Sequence, residues 1–285
     1  MSPRTTALHQ LIGAVVLSSL TALFAKIIPL PVTQITFWRS AVAALALWLF
    51  LLATRGVIRL GDRREYLFFL SSGTLLAVHW LTYFHSIQLS TVAVGIISLY
   101  TYPIITIILE PLFDRQRHRI SDLVVGAIVF AGVFLMAPEF ELSNATTRGI
   151  CWGVSSAAIY SVRNLVLRRH VKKYPATTVM LYQVIATSIV LLPLMATRFE
   201  IYDATITGKL VLLGVVFTAI HHTLFAAVLK HFPVKTASVI ASIQPAVAAV
   251  FAWMILDEVP GPRVIAGGLL VMAAAAFETG RSVRR

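Results

Sequence analysis

The chain has one cysteine, Cys151, in 285 residues. One thiol cannot close an internal disulfide, and no Cys/His spacing marks a metal site, so Cys151 reads as a small apolar residue in a helix. Charge is scarce too: 13% of residues are charged, against about 25% in a soluble domain. Catalytic and cofactor signatures are missing. There is no glycine-rich GxGxxG after a strand, no phosphate-binding P-loop and no HExxH. These absences exclude a disulfide scaffold and leave nothing on which to build a soluble enzyme.

What the chain does have is apolar length. Hydrophobic residues make up 58% and the mean hydropathy is +0.84. That excess is too large for one globular core, and it falls in long runs separated by short charged loops, the pattern of an all-α, multi-pass membrane protein. With about 20 apolar residues needed per crossing, ten spans are expected: 9–28, 32–54, 66–86, 91–112, 120–138, 149–168, 177–197, 208–229, 234–256 and 262–280. The opening run looks like a signal peptide. No small-residue cleavage site and soluble chain follow it, so it is read as a retained first helix.

The net charge of +12 raises the question of nucleic acid. The basic residues, however, sit in loops between spans. Of the 24 lysines and arginines, seventeen fall on the side that carries both termini, four on the other side, and Lys26, Arg39 and Arg163 lie within spans. This bias predicts cytoplasmic termini and lipid, not nucleic acid, as the surroundings.

Two stretches share a layout. Thr236–Glu258 (TASVIASIQPAVAAVFAWMILDE) and Val92–Phe113 each centre an apolar span on a proline, Pro245 and Pro103, spaced 142 residues apart. The same offset carries Gly126 onto Gly268 in the following span. This predicts one unit used twice: 1–138 and 149–285, with 139–148 as linker. Five spans per unit is odd, so the second unit enters the membrane inverted. Such repeats build carriers that expose a central site to each side in turn.

The TASVIASIQPAVAAVFAWMILDE stretch with Gly267 and Gly268, and Phe37-Trp38-Arg39 in the second span, resemble the EamA-type members of the drug/metabolite transporter superfamily. The segment SLYTYPIITIILEPLF is similar to the YddG-like exporters of aromatic and hydrophobic amino acids. LEPLFDRQR departs from the family pattern, because an acid pair is expected at that turn. The resemblance implies a monomeric bacterial inner-membrane exporter of small metabolites, without cofactor. Its central cavity would be lined by the first, third and fourth helices of each unit.

Function then has to be sought among polar residues inside spans, which are costly in lipid. His79, Tyr83 and Ser86 fall on one helical stripe of the third span. His79 and Tyr83 are expected to touch substrate, and Ser86 to bond a neighbouring helix. In the eighth span the spacing of His222 with Thr218 and Phe225 favours His222 over His221 for the cavity. A zinc site on His79, His221 and His222 has no supporting carboxylate. Tyr100 precedes the Pro103 kink, and Gln244 precedes the Pro245 kink. A helix proline frees a carbonyl one turn back, which either lines a cavity or is packed by neighbours.

In the sixth span, Tyr160 adds an aromatic wall. Arg163 either snorkels or pairs within the bundle, or it faces the cavity and takes a carboxylate. Arg39 is expected to make a structural or gating pair, Lys26 to snorkel, and Ser18, Ser19 and Thr21 to pack helices. The expected wall of His79, Tyr83, Tyr100, Tyr160, His222 and Gln244 is uncharged and suits small zwitterions such as amino acids. A hydrophobic-cation efflux carrier of the same fold, and a membrane enzyme using the histidines, are the alternatives.

Overall fold

The computed structural model describes residues 3–114, 120–137, 141–167, 173–195, 200, 202–228 and 243–282. The expected turn cations Arg115, Arg117 and Arg119, the first half of the ninth span with Ser238 and Ser242, and the side chain of Phe225 lie outside them.

Among the described residues the chain is helical, with no strand. Helices α1 (Pro3–Thr21) and α2 (Phe24–Ile27) form the first span with a bend between them. They are followed by α3 (Val32–Ala53), α4 (Arg63–Leu89), α5 (Val92–Leu99), α6 (Tyr102–Asp114) and α7 (Ile120–Met136). The second half has α8 (Ala145–Leu167), α9 (Ala176–Met195) and α10 (Ala204–Gly214), then a π-helical segment, Val215–Ile220. It ends with α11 (His221–Val228), α12 (Gln244–Leu256) and α13 (Pro262–Ser282).

Six described segments are long and apolar enough to cross a bilayer: Val32–Ala53, Arg63–Leu89, Val92–Phe113, Ala145–Leu167, Ala176–Met195 and Ala204–Leu224. Four shorter apolar helices accompany them: Ile12–Ile27, Val124–Met136, Gln244–Leu256 and Pro262–Phe277.

Local chemistry sets several boundaries. The carboxylates of Asp62 and Asp203 accept from Arg64 N at 3.2 Å and Ile206 N at 2.8 Å, each capping a helix start. Asn144 Oδ1 accepts from Thr146 N at 2.9 Å, so α8 begins at Ala145, inside the expected 139–148 linker. The fourth span is broken rather than bent. Thr101 Oγ1 donates to Ser98 O at 2.8 Å, and Pro103 is the second residue of the new helix α6, where its missing N–H costs nothing. Pro245 takes the same place in α12.

The burial pattern is that of a protein in lipid. Leu49, Phe50, Leu67, Phe130, Phe134, Trp253, Met254 and Leu269 point outward, while Ser72, His79, Ser86, Ser156, Ser161, Gln183 and Thr187 are buried. Water would select the reverse. In lipid, apolar side chains lose nothing by facing out, and polar ones must find partners between helices. Ser86 Oγ donates to Gly149 O at 2.6 Å, joining α4 to α8 as expected.

Most of the packing between the halves is symmetric; the contact of α13 with α5 and α6 has no counterpart of similar extent among the described residues. The contact of α4 with α8 is matched by that of α11 with α1, and α5 and α6 on α8 are matched by α12 on α1. Likewise α4 on α9 is matched by α10 on α3, while α3–α9, α7–α13 and α5–α12 map onto themselves. Exchange of span n with span n+5 leaves these matched contacts unchanged, as a two-fold duplication requires.

The α7–α13 contact depends on two glycines. A Cβ at Gly267 would collide with Gly132 O, and one at Gly132 would lie 2.9 Å from Gly267 O. Gly267→Val must push the helices apart, and overpacking of this kind costs about 1–3 kcal/mol. The variant is expected to unfold several degrees lower in detergent; an unchanged midpoint would disprove the close approach.

Candidate functional site

A cavity of about 190 Å³ lies where the two halves meet. All seven residues singled out in the sequence border it: His79, Tyr83, Tyr100, Tyr160, Arg163, His222 and Gln244. They come from α4, the α5–α6 break, α8, α11 and the start of α12. Pro103 and Pro245 do not line it; they start the helices beside Tyr100 and Gln244.

His79 is at the centre of the aromatic wall. Its ring stacks on Tyr160 with centroids 4.6 Å apart and faces Tyr83 at 6.2 Å. Nδ1 lies 2.8 Å from Ser156 Oγ and 3.3 Å from Ser156 O. The carbonyl can only accept, so Nδ1 carries the proton in this arrangement and Nε2 is left as the ring's acceptor. Ser156 Oγ donates to His79 O at 2.8 Å, which clamps α4 to α8 and fixes the ring.

Gln244 ties the halves together. The Tyr100 hydroxyl donates to Gln244 Oε1, and Gln244 Nε2 donates to Ser18 Oγ on α1. The backbone beside it repeats. Ser19 Oγ donates to Val15 O at 2.8 Å and Gln244 O at 3.2 Å. Ser161 Oγ donates to Ala157 O at 2.8 Å and Tyr102 O at 2.9 Å. Adding the Pro103–Pro245 spacing of 142 carries Ser19, Val15 and Tyr102 onto Ser161, Ala157 and Gln244. The same polar bridge is therefore built twice, once on each side of the cavity. This offset also carries His79 onto His221.

Arg163 is buried, so it does not snorkel. It donates through Nη1 to Asn164 Oδ1 at 2.9 Å and through Nη2 to Gln183 Oε1, with Tyr160's ring centroid 5.7 Å from its guanidinium carbon. Its Nε is buried with no hydrogen-bond partner among the described residues.

Sequence reasoning missed several lining residues. Arg39, expected in a pair away from substrate, lines the cavity at 2% exposure, its guanidinium 4.1 Å from the Trp80 ring centroid. Its Nε and Nη2 donate to Thr218 Oγ1 at 3.2 and 3.0 Å. His221 borders the cavity beside His222, with ring centroids 4.6 Å apart. The spacing argument for His222 assumed a regular helix, whereas this one widens into a π-turn at Val215–Ile220.

The cause of that turn is visible. Thr218 Oγ1 donates five residues back, to Leu213 O at 2.9 Å, while accepting from Arg39. Gly214 lets the helix approach α3, since a Cβ there would meet Val42 at 2.6 Å. Such bulges often mark functional sites. Among the described residues no group of three or more His, Cys, Asp or Glu side chains is placed to hold a metal.

At the helix ends near residues 26–30 and 88–92 a polar network joins the two halves, a roof set off from the residues that line the cavity. Lys26 Nζ donates to Ser90 O at 2.8 Å and lies 3.7 Å from Glu258 Oε1. Glu258 Oε2 accepts from Val92 N at 2.8 Å, and Gln88 Nε2 donates to Ala25 O and Leu30 O. Lys26 therefore bonds protein groups instead of snorkelling. At the opposite end, Lys173 Nζ meets Glu65 Oε1 at 2.7 Å, and this bond holds the ammonium above the usual lysine range.

The profile of the EamA-like transporter family matches residues 5–137 and again residues 147–279. The chain belongs to the EamA-like transporter family. Among its relatives is the pseudopaline exporter CntI of Pseudomonas aeruginosa, 25% identical over 247 residues, which are 86% of this chain and 85% of the relative. An uncharacterized transporter of Bacillus subtilis, YxxF, is 24% identical over 254 residues, 87% of this chain and 81% of its own. A probable terminal-alkyne amino-acid exporter of Streptantibioticus cattleyicolor is 25% identical over 187 residues, 64% of this chain and 62% of its own. A solved crystal structure shares the fold, with a TM-score of 0.67 at 17% identity over 99% of each chain. This EamA-like protein is thus a multi-pass membrane transporter for small molecules.

Proposed function

We propose that this transporter exports small amino-acid-type metabolites across the bacterial inner membrane by alternating access. In this reading ten helices cross the bilayer as two inverted five-helix repeats, both termini are cytoplasmic, and the chain works as a monomer. His79, Tyr83, Tyr100, Tyr160, Arg163, His222 and Gln244 contact the substrate. One observation carries the reading: a polar, aromatic cavity on the two-fold seam takes its walls from both repeats. A site on that seam is where rocking of one repeat against the other changes access.

The test is counterflow of labelled amino acids and N-substituted amino acids into liposomes containing purified protein. Saturable exchange of at least one of them is expected. Flux of a hydrophobic cation with none of the amino-acid compounds would replace the reading with drug efflux. Two buried guanidiniums on the wall speak against that outcome, since they repel a cation.

A further inference from the structure

Among the described residues the cavity wall holds two arginines and no anion. Arg39 and Arg163 are 2% and 9% exposed, and no aspartate or glutamate lines the cavity with them. Neither guanidinium has a carboxylate of the described residues within ion-pair distance; the ion pairs Lys26–Glu258 and Lys173–Glu65 lie at the helix ends. Residues 229–242, which lead into Gln244, contain no Asp or Glu either. Among the described residues both arginines meet only neutral groups: Thr218 and the Trp80 and Phe84 rings for one, Gln183, Asn164 and the Tyr160 ring for the other.

Burying charge without a counter-charge is costly, and no described acidic side chain of the protein offsets it. Donors remain for a ligand. Among the described residues Arg39 uses two of its five N–H groups, both on one hydroxyl, and the buried Nε of Arg163 has no partner. An ammonium, by contrast, has no carboxylate among the described residues of the wall to meet. Two of the aromatic faces on the wall, Trp80 and Tyr160, already lie under the two guanidiniums.

We infer that the transported molecule carries a net negative charge: a small organic acid or amino-acid derivative with more carboxylates than free ammonium groups, anchored by Arg39 and Arg163. This rests on the reading of the cavity as the substrate site and sharpens its chemistry. The flat rings of His79, Tyr83 and Tyr160 would then pack the apolar part of the substrate, and Nε2 of His79 would accept from an N–H or O–H on it.

A charge series on one skeleton tests this. N-acetylphenylalanine is an anion, phenylalanine a zwitterion and phenylalanine amide a cation at neutral pH. Binding of each to the purified full chain is measured by titration calorimetry, with wild type, Arg39→Gln, Arg163→Gln and Arg163→Lys. The anion is expected to bind at least about tenfold more tightly than the amide, with the zwitterion between them, a gap of about 1.4 kcal/mol. Each Gln variant is expected to lose most of that preference, while Arg163→Lys, which keeps the charge, retains part of it.

Equal binding of the three, tighter binding of the amide, or no binding of the anion would overturn the inference, and these readings need no variant to fold. Preference unchanged in both Gln variants would overturn it as well. If the anion binds preferentially and no counterflow follows, the exporter reading fails while the anion receptor stands.

Discussion

His79→Ala is expected to insert and fold normally yet lower counterflow by at least about tenfold, the loss of roughly 1.4 kcal/mol of binding or transition-state free energy. The expectation comes from what the ring does in place. Nδ1 is anchored on Ser156, and the ring stacks on Tyr160 and faces Tyr83, so two cavity side chains hold their positions through it. Removing it unseats both tyrosines and takes away the acceptor at Nε2. The fold should survive, because Ser156 Oγ donates to the backbone carbonyl of residue 79, and alanine keeps that carbonyl. His79→Asn offers a shorter amide that can still donate toward Ser156 and should restore part of the activity. Measured together, unchanged melting with lost flux assigns the histidine to the site. Full flux in the alanine variant would remove it from there.

Much of this arrangement is legible in the chain itself. Proline spacing exposes the duplication, because a proline in a span marks a helix start or break at the same depth in each unit. The seven cavity residues follow from one rule: a polar or aromatic side chain inside an apolar span must face other protein. That rule finds the interior but cannot tell who pairs with whom. Arg39 is placed in a structural or gating pair, because the family resemblance makes the second span of each repeat peripheral. The π-turn at Val215–Ile220 and Gly214 draw the eighth span against α3, so a residue on a peripheral helix reaches the cavity. Nothing in the letters VVFTAI announces that turn; it follows from Thr218 meeting Arg39, a contact 179 residues apart. His221 is passed over for the same reason, although the 142-residue offset that matches Pro103 to Pro245 also matches His79 to His221. Applying the repeat to polar residues as well as to prolines would have found it.

The second large effect is expected at Glu258. The αL conformation of Asp257, with φ 55°, ends α12, and Glu258 N donates back to Ala252 O at 3.3 Å. Asp257 N donates to Trp253 O at 3.1 Å, the bond of an αL-type end, and this end sets the Glu258 carboxylate where it accepts from Val92 N at the start of α5 and faces Lys26. A hydrogen bond to a charged group contributes about 1.5–3 kcal/mol, whereas a partly exposed ion pair contributes about 0.2–1 kcal/mol. The bond to Val92 should therefore be the stronger part of the roof, helped by the partial positive charge at a helix start.

Glu258→Ala is expected to loosen this end most, and Lys26→Ala less, because Gln88 still ties α4 to Ala25 and Leu30. Glu258→Gln keeps an acceptor for Val92 N and should fall between them. The readout is labelling of a single cysteine placed at Ser18, on the cavity wall, in a Cys151→Ser background, by an impermeant maleimide added outside intact cells. Labelling should rise severalfold in Glu258→Ala and decline through Glu258→Gln and Lys26→Ala to the unaltered roof. If all four proteins label alike, the network is not a gate and closes nothing. If Lys26→Ala exceeds Glu258→Ala, the ion pair rather than the capped helix start holds the roof, and the energetic ordering of the two contacts is reversed.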